Sequence, residues 1–394
     1  MRVSAWIMNK KELNEIRKNF CENSGFFTIN NVLTAYADVQ KNINCKTVRL
    51  FSLIQEDEGA VIMEMLKKVL AGTLGKGLVE YQFPREAYDE DGTQVLFYSV
   101  LKSKFKDEEC ADKFLEHIIS NIACDTAFAV ISAQCCYSIR KRNKNDDFDG
   151  DASEEYNFII TAICPVNTGD DGLFINEEDN SIQKKSNTDM IISRVPTDGF
   201  LYPVFSDRSP DVNHVMYYTK TPNKPNTSIV ENVLGCEYIM TPLNEKQKFQ
   251  QVLENVLGDD LDYTVITKVN EKIIETVEHG KHETELTVVD DKKLHHILTD
   301  VGVSEEQLEG LTAVYKETVG EVGLTASNLV ENKTVVQIPD ITINIKKDAT
   351  DKIRTSVMNG RRCLIIDIDD PNIVINGLNT RLETEQRELT TAGV

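Results

Sequence analysis

The sequence predicts an α+β fold of more than one domain: a body with a mixed or antiparallel sheet, an acidic helical module and a small C-terminal β module. Three observations support this prediction. Several helical patterns precede several apolar strand-like runs, without regular alternation of the two. Between residues 251 and 330 the chain carries 17 acidic residues against six lysines, which indicates a separate module with a solvated surface. After residue 331 β-branched residues become frequent again.

The body is predicted to span residues 1–240. Residues 1–7 fit poorly with the helical pattern that follows, so we expect either a non-native extension, with Met8 as the natural start, or a short loose tail. The pattern at 56–71 has acidic residues in its first turn, lysines late and apolar residues on one face, as amphipathic helices do. The helices predicted in this way span 8–20, 56–71, 93–106 and 107–122.

Extended segments complete the body. Apolar runs rich in β-branched and aromatic residues are typical of buried strands, and a polar turn between the first two predicts a hairpin. The predicted strands are 26–38, 47–55, 126–139 and 156–166, with shorter ones near 173–175, 190–195 and 212–219. Segment 140–155 changes from basic to acidic, and we predict a surface loop there.

The helical module is predicted at 241–330 and the β module at 331–380, followed by a flexible tail at 381–394. In the helical module, Ser304 and Gln307 have the spacing of a capping box. Its predicted helices are 244–257, 263–278, 292–299 and 304–320. In the β module, strands are predicted at 335–346, 362–368 and 373–375, and a short helix or bend at 350–357.

Charge and cysteine content limit the possible functions. A formal charge of −21 and a pI near 4.8 make nucleic acid an improbable partner, because phosphate binding needs a basic face. Nine cysteines without a CxxC pair indicate a reducing cytoplasm. No apolar run approaches the ~20 residues that cross a bilayer, and no signal-peptide pattern is present. We therefore expect a cytoplasmic protein that does not bind membranes.

The stretch 199–219, GFLYPVFSDRSPDVNHVMYYT, is the best candidate for a site. Arg208 has the shape that binds carboxylate or phosphate, and Asp207 could orient it or a histidine. Candidate catalytic residues are Asp207, Arg208 and His214; candidate ligand-binding residues are Arg208, Ser209 and Tyr217. The alternative is an Asp-Arg pair that fixes a loop, since no nucleophile elbow or Gly-rich cradle accompanies the triplet.

No motif predicts a cofactor. The glycines of GTLGKG at 72–77 follow a helix instead of a strand and lack the closing GK[ST], so a helix end and turn are favoured over a phosphate loop. His279 and His282 are weak metal candidates, because HxxH is a spacing that zinc ligands use. A histidine at a helix C-terminus also complements the helix dipole. We expect neither a metal nor a cofactor.

Several phrases of the chain resemble an uncharacterised family, a domain of unknown function found in clostridial and related Gram-positive bacteria. They are MNKKELNEIRKNF at 8–20, ITAICPV ending at Val166, GFLYPVFSDRS and MYYTKTP within 199–222, LGCE at 234–237 and GRRCLIIDI at 360–368. The resemblance covers Met8 to about Leu378. It implies a bacterial cytoplasmic protein and supplies no activity.

Two functional hypotheses follow. The first is a non-enzymatic interaction or scaffold protein that recognises another protein through helix faces and an acidic surface. The second is an enzyme or ligand-binding protein acting on an anionic small molecule at Asp207–His214. The second hypothesis requires Arg208 and His214 to converge on one open pocket.

Overall fold

The computed structural model describes residues 8–381 apart from short gaps. The gaps are 22–23, 143–147, 169–171, 177–179, 186–189, 281–285, 321–322, 332–333, 347–348, 350–351, 359, 369–371 and 376. No helix of the described residues combines the length and apolar content needed to cross a membrane.

The body contains four α-helices in its described residues, and the predicted helices are confirmed with small shifts. They are α1 Lys10–Asn19, α2 Glu56–Val69, α3 Thr93–Ser103 and α4 Glu108–Asn121. Single turns of 3-10 helix occur at Phe51–Leu53 and Arg85–Tyr88, and a π-helical turn at Ile229–Val233. Helix α1 begins with a complete capping box, in which Asn9 and Glu12 each accept a hydrogen bond from the other's backbone N–H.

The strands of the body are β1 Phe27–Ala37, β2 Ile43–Leu50, β3 Leu78–Gln82, β4 Phe128–Arg142, β5 Phe148–Thr168, β6 Gly172–Asn176, β7 Ser181–Lys185, β8 Met190–Ile192, β9 Asp198–Tyr202, β10 Val204–Ser206, β11 Ser209–Asp211 and β12 His214–Thr219. In the described part of the chain, eight of them form one sheet in the order β2-β1-β4-β5-β9-β12-β3, with β8 paired to β5. All of these pairings are antiparallel, which confirms the predicted α+β class.

Both faces of the sheet are covered, because side chains alternate along each strand. On β12, Met216 packs into the cluster that contains α1 and α2, whereas Val215 and Tyr217 pack into the cluster with α3 and α4. Because both faces of the sheet are buried, side chains pointing in either direction are apolar, and the sequences of the central strands are continuous apolar runs.

Segment 140–155 corrects the sequence prediction of a surface loop. Strand β4 continues to Arg142 and β5 starts at Phe148, and the pairs Arg140–Ala152 and Arg142–Phe148 extend the ladder beyond Ile139, the last core residue of β4. Backbone hydrogen bonds between strands do not depend on apolar side chains, so the pair continues into polar sequence. Residues 143–147 lie outside the described residues.

The helical segment packs around its own apolar cluster, which runs from Phe249 to Leu329. It comprises α5 Pro242–Leu257, α6 Tyr263–His279, β13 Val288–Val289, α7 Asp291–Asp300, α8 Leu311–Thr318, β14 Leu324–Thr325 and α9 Ala326–Leu329. The predicted helix 304–320 is too long: Ser304 and Gln307 do bond reciprocally, but they close a turn, and α8 starts only at Leu311.

The C-terminal part consists of small antiparallel hairpins in its described residues, as the predicted β module requires. They pair β15 Thr334–Ile338 with β16 Ile341–Ile345, β17 Ile353–Met358 with β18 Arg361–Ile366, and β19 Asn372–Ile375 with β20 Leu378–Arg381. Two details were wrong. The single strand 335–346 is a hairpin, and the helix or bend at 350–357 is largely strand β17, because Arg361–Ile366 offers it a partner.

Candidate functional site

The predicted site forms the turn of the β10–β11 hairpin. Ser206 pairs with Ser209, so Asp207 and Arg208 are the two turn residues. Their φ angles are 48° and 60°, the left-handed values that two-residue hairpin turns require. Glycine, asparagine and aspartate suit such positions, whereas an arginine there is unusual. Ser209 already belongs to β11, and contacts elsewhere must hold Arg208 in this conformation.

Arg208 binds helix α1 at two points. Its backbone N–H donates to Oε1 of Glu12 at 3.1 Å, and Nη1 donates to Oε2 of Glu15 at 2.8 Å. The Glu15 side chain is 6% exposed and that of Arg208 30%; the other Glu15 oxygen accepts from the hydroxyl of Tyr137 at 2.7 Å. Burial, together with the nearby charge of Asp207, raises the pKa of Glu12 above its usual range. The guanidinium is therefore engaged in a structural ion pair.

The other candidates have separate environments. His214 is buried, and its Nδ1 lies 2.8 Å from Oδ2 of Asp211. Tyr217 lies on the opposite face of β12 and donates to Oδ1 of Asp198 at 2.6 Å. Burial raises the pKa of both Asp198 and Tyr217. Ser209 is exposed at the hairpin edge. The arrangement thus gives Arg208, His214 and Tyr217 different partners.

The histidine candidates are also dispersed. His279 ends α6, where Gly280 caps the helix, and His282 lies outside the described residues. His295 and His296 approach Glu305 and Asp300 respectively, each at 3.3 Å. Among the described residues, no group of three or more His, Cys, Asp or Glu side chains could hold a metal ion.

A cavity of about 670 Å³ lies in the helical segment. We call it the α5–α6 groove; α5, α6, residues 329–331 and residues 335–337 form its walls. Apolar side chains dominate the lining, among them Phe249, Leu253, Ile266, Val269, Ile273 and Val335. This size falls in the range of pockets that bind ligands or peptide side chains.

Polar side chains also line the groove, among the apolar ones. Lys246 on α5 bonds to Glu331 at 2.6 Å, and Gln250 to Glu254 at 2.7 Å. The hydroxyl of Tyr263, at the start of α6, is buried without a hydrogen-bond partner among the described residues. Such a group costs about 1–3 kcal/mol when left unbonded.

Sequence reasoning missed this groove. The amphipathic patterns of α5 and α6 predict which faces are apolar, yet they do not say that these faces leave a cavity beside residues 329–331 and 335–337. The available signal was Ile266, which lies one turn before Val269 on the face of α6 that lines the groove and is 49% exposed.

A family model described as "Domain of unknown function (DUF4317)" matches residues 8–378. No curated protein and no solved structure matches the chain.

Proposed function

The chain belongs to the family described as Domain of unknown function (DUF4317), and from that premise we propose that it is a non-enzymatic interaction protein whose helical segment binds a partner protein in the α5–α6 groove. The observation that carries this proposal is the groove itself: an open cavity of about 670 Å³ in which apolar side chains outnumber polar ones. Its place in the cytoplasm of clostridial and related Gram-positive bacteria is part of the same proposal.

The charge of the helical segment defines the partner. Residues 251–330 hold 17 acidic side chains against six lysines, so a basic partner is attracted and an acidic one repelled. Apolar grooves between helices commonly receive the apolar face of an amphipathic helix. The occupant we propose is a helical segment of another protein with apolar residues at i, i+3 and i+4 and lysines or arginines beside them.

The C-terminal hairpins add apolar surface next to the groove. Strand β15 supplies Val335 and Val336 to the groove wall, which makes the two surfaces continuous. Large apolar side chains of the hairpins are exposed: Val335, Ile341, Val357, Met358, Ile366, Val374, Ile375 and Leu378. Such exposure is typical of binding surfaces, and isolated two-stranded hairpins gain stability from a covering partner.

The alternative hypothesis places an anion at Arg208 and His214. This hypothesis requires Arg208 to break its ion pair with Glu15, which would leave the buried Glu15 carboxylate without a cation. The observed contacts give it less support than partner binding in the groove.

Site-specific crosslinking tests the proposal. A photo-reactive amino acid at Ile266, within the groove, is compared with one at Ile239, which is 50% exposed and outside the groove. In extracts of the producing cells, we expect a protein adduct from position 266 that is absent from position 239. Identical adduct patterns at the two positions, or none at 266, would count against the groove.

A further inference from the structure

A second cavity, of about 360 Å³, lies where the body meets the helical segment. We call it the junction cavity. Helix α1 and the turn after α2 line one side, and Val277, Leu286, Thr287 and Ser327 line the other. Binding sites for small molecules often occur at such junctions, and the volume suits a small organic ligand.

Two cations on α1 face this cavity. Lys10 and Arg17 are seven residues apart, and Leu13 and Asn14 between them also line it, so one face of the helix forms the wall. Lys10 Nζ donates to the carbonyl of Gly280 at 3.2 Å. None of the ion pairs found among the described residues includes Lys10 or Arg17.

The guanidinium of Arg17 is fixed by neutral groups. Nε donates to the carbonyl of Leu70 at 2.7 Å and Nη2 to that of Gly72 at 2.6 Å. Burial lowers the pKa of Arg17, because desolvation of its charge has no compensating carboxylate among the described residues. Carbonyl acceptors orient the group while leaving its charge uncompensated, and N–H donors remain on both Arg17 and Lys10.

The glycine stretch 72–77 acquires a role in this arrangement. In this turn the amides of Gly75, Lys76 and Gly77 donate to backbone carbonyls of the stretch 73–78. The carbonyl of Gly72 helps to position Arg17, and Thr73 and Leu74 contribute to the cavity wall.

We propose that the junction cavity binds a small organic anion, with its carboxylate or phosphate groups held by Lys10 and Arg17 and its apolar part against Leu74 and Val277. Hydroxyls of Thr73, Thr287 and Ser327 line the same space. Because the walls come from the body and from the helical segment, the bound anion links the two. This inference is independent of partner binding in the α5–α6 groove.

Calorimetric titration of the full chain with citrate and, separately, with inorganic phosphate tests the site and distinguishes carboxylate from phosphate. We expect at least one of them to bind with a stoichiometry near one. The affinity for the anion that binds should fall tenfold or more in both Arg17→Met and Lys10→Met. Lys246→Met is the control, since Lys246 lines the α5–α6 groove. This variant should bind the anion with the affinity of the wild type.

Amide hydrogen exchange locates the bound anion. On binding, we expect slower exchange of the backbone amides near Thr73 and near Thr287, which lie on the two sides of the cavity. The inference is overturned if neither anion binds saturably at millimolar concentration, or if folded Arg17→Met and Lys10→Met bind as the wild type does. Because Arg17 also fixes the end of α2, Lys10→Met keeps the test valid if Arg17→Met fails to fold.

Discussion

Arg208 donates a hydrogen bond of 2.8 Å to Glu15, although the two residues are 193 positions apart in the chain. The pair joins the turn of the β10–β11 hairpin to helix α1. It also satisfies a carboxylate that is almost fully buried.

Removing this pair is expected to destabilise the fold. Arg208→Ala should lower the free energy of unfolding by about 2–3 kcal/mol, somewhat less than a fully buried pair because Arg208 is partly exposed. Urea unfolding measures the change, and Arg194→Ala, an arginine that is 65% exposed, should change stability by less than about 0.5 kcal/mol. A normally stable Arg208→Ala protein would favour a ligand-binding role for Arg208.

The buried carboxyl of Asp198 predicts a pH dependence of stability. Burial raises its folded pKa above the usual 3.8, so the folded protein keeps a proton that the unfolded chain has lost. Between these two pKa values, the free energy of unfolding therefore decreases as pH rises. Asp198→Asn keeps an oxygen acceptor for Tyr217 and does not titrate.

The corresponding measurement is urea unfolding of both proteins in a pH series from about 4 upward. The free energy of unfolding of Asp198→Asn minus that of the wild type should increase with pH through this window and then level off. A difference that is constant or decreases with pH would show that the folded pKa is not raised.

Cysteine reactivity should separate buried from exposed thiols. Burial raises the pKa of Cys164 and Cys236 to about 12 and that of Cys135 well above its usual range. Iodoacetamide at pH 8 should modify the exposed Cys45 at least roughly a hundredfold faster than these three, because the thiolate is the nucleophile. Peptide mass spectrometry of the native protein measures the rates. Rapid labelling of Cys135 would instead indicate an accessible, activated thiol.

Tyr263 tests the packing of the groove wall. Tyr263→Phe removes a buried hydroxyl without a partner among the described residues, so the free energy of unfolding should stay equal or rise by up to about 1 kcal/mol. Thermal unfolding of the variant and the wild type measures this change. A clear loss of stability in Tyr263→Phe would show that the hydroxyl is hydrogen-bonded in the folded protein.

Local patterns predicted the helices of the body, because charge placement and amphipathic spacing act within a few residues. The polar extension of β4 and β5 was missed, since strand pairing there follows backbone hydrogen bonds and not side-chain pattern. The partner of Arg208 and the α5–α6 groove depend on segments that are distant in sequence. Their positions follow from tertiary packing, which a single sequence does not specify.

The affinity of the crosslinked partner for groove variants tests the central claim most directly. Ile266→Glu changes an exposed side chain of the groove, and Ile239→Glu makes the same change at a similarly exposed position outside it. With both variants folded, calorimetry should show at least a tenfold weaker affinity for Ile266→Glu, about 1.4 kcal/mol, and wild-type affinity for Ile239→Glu. Wild-type affinity in Ile266→Glu would contradict the account.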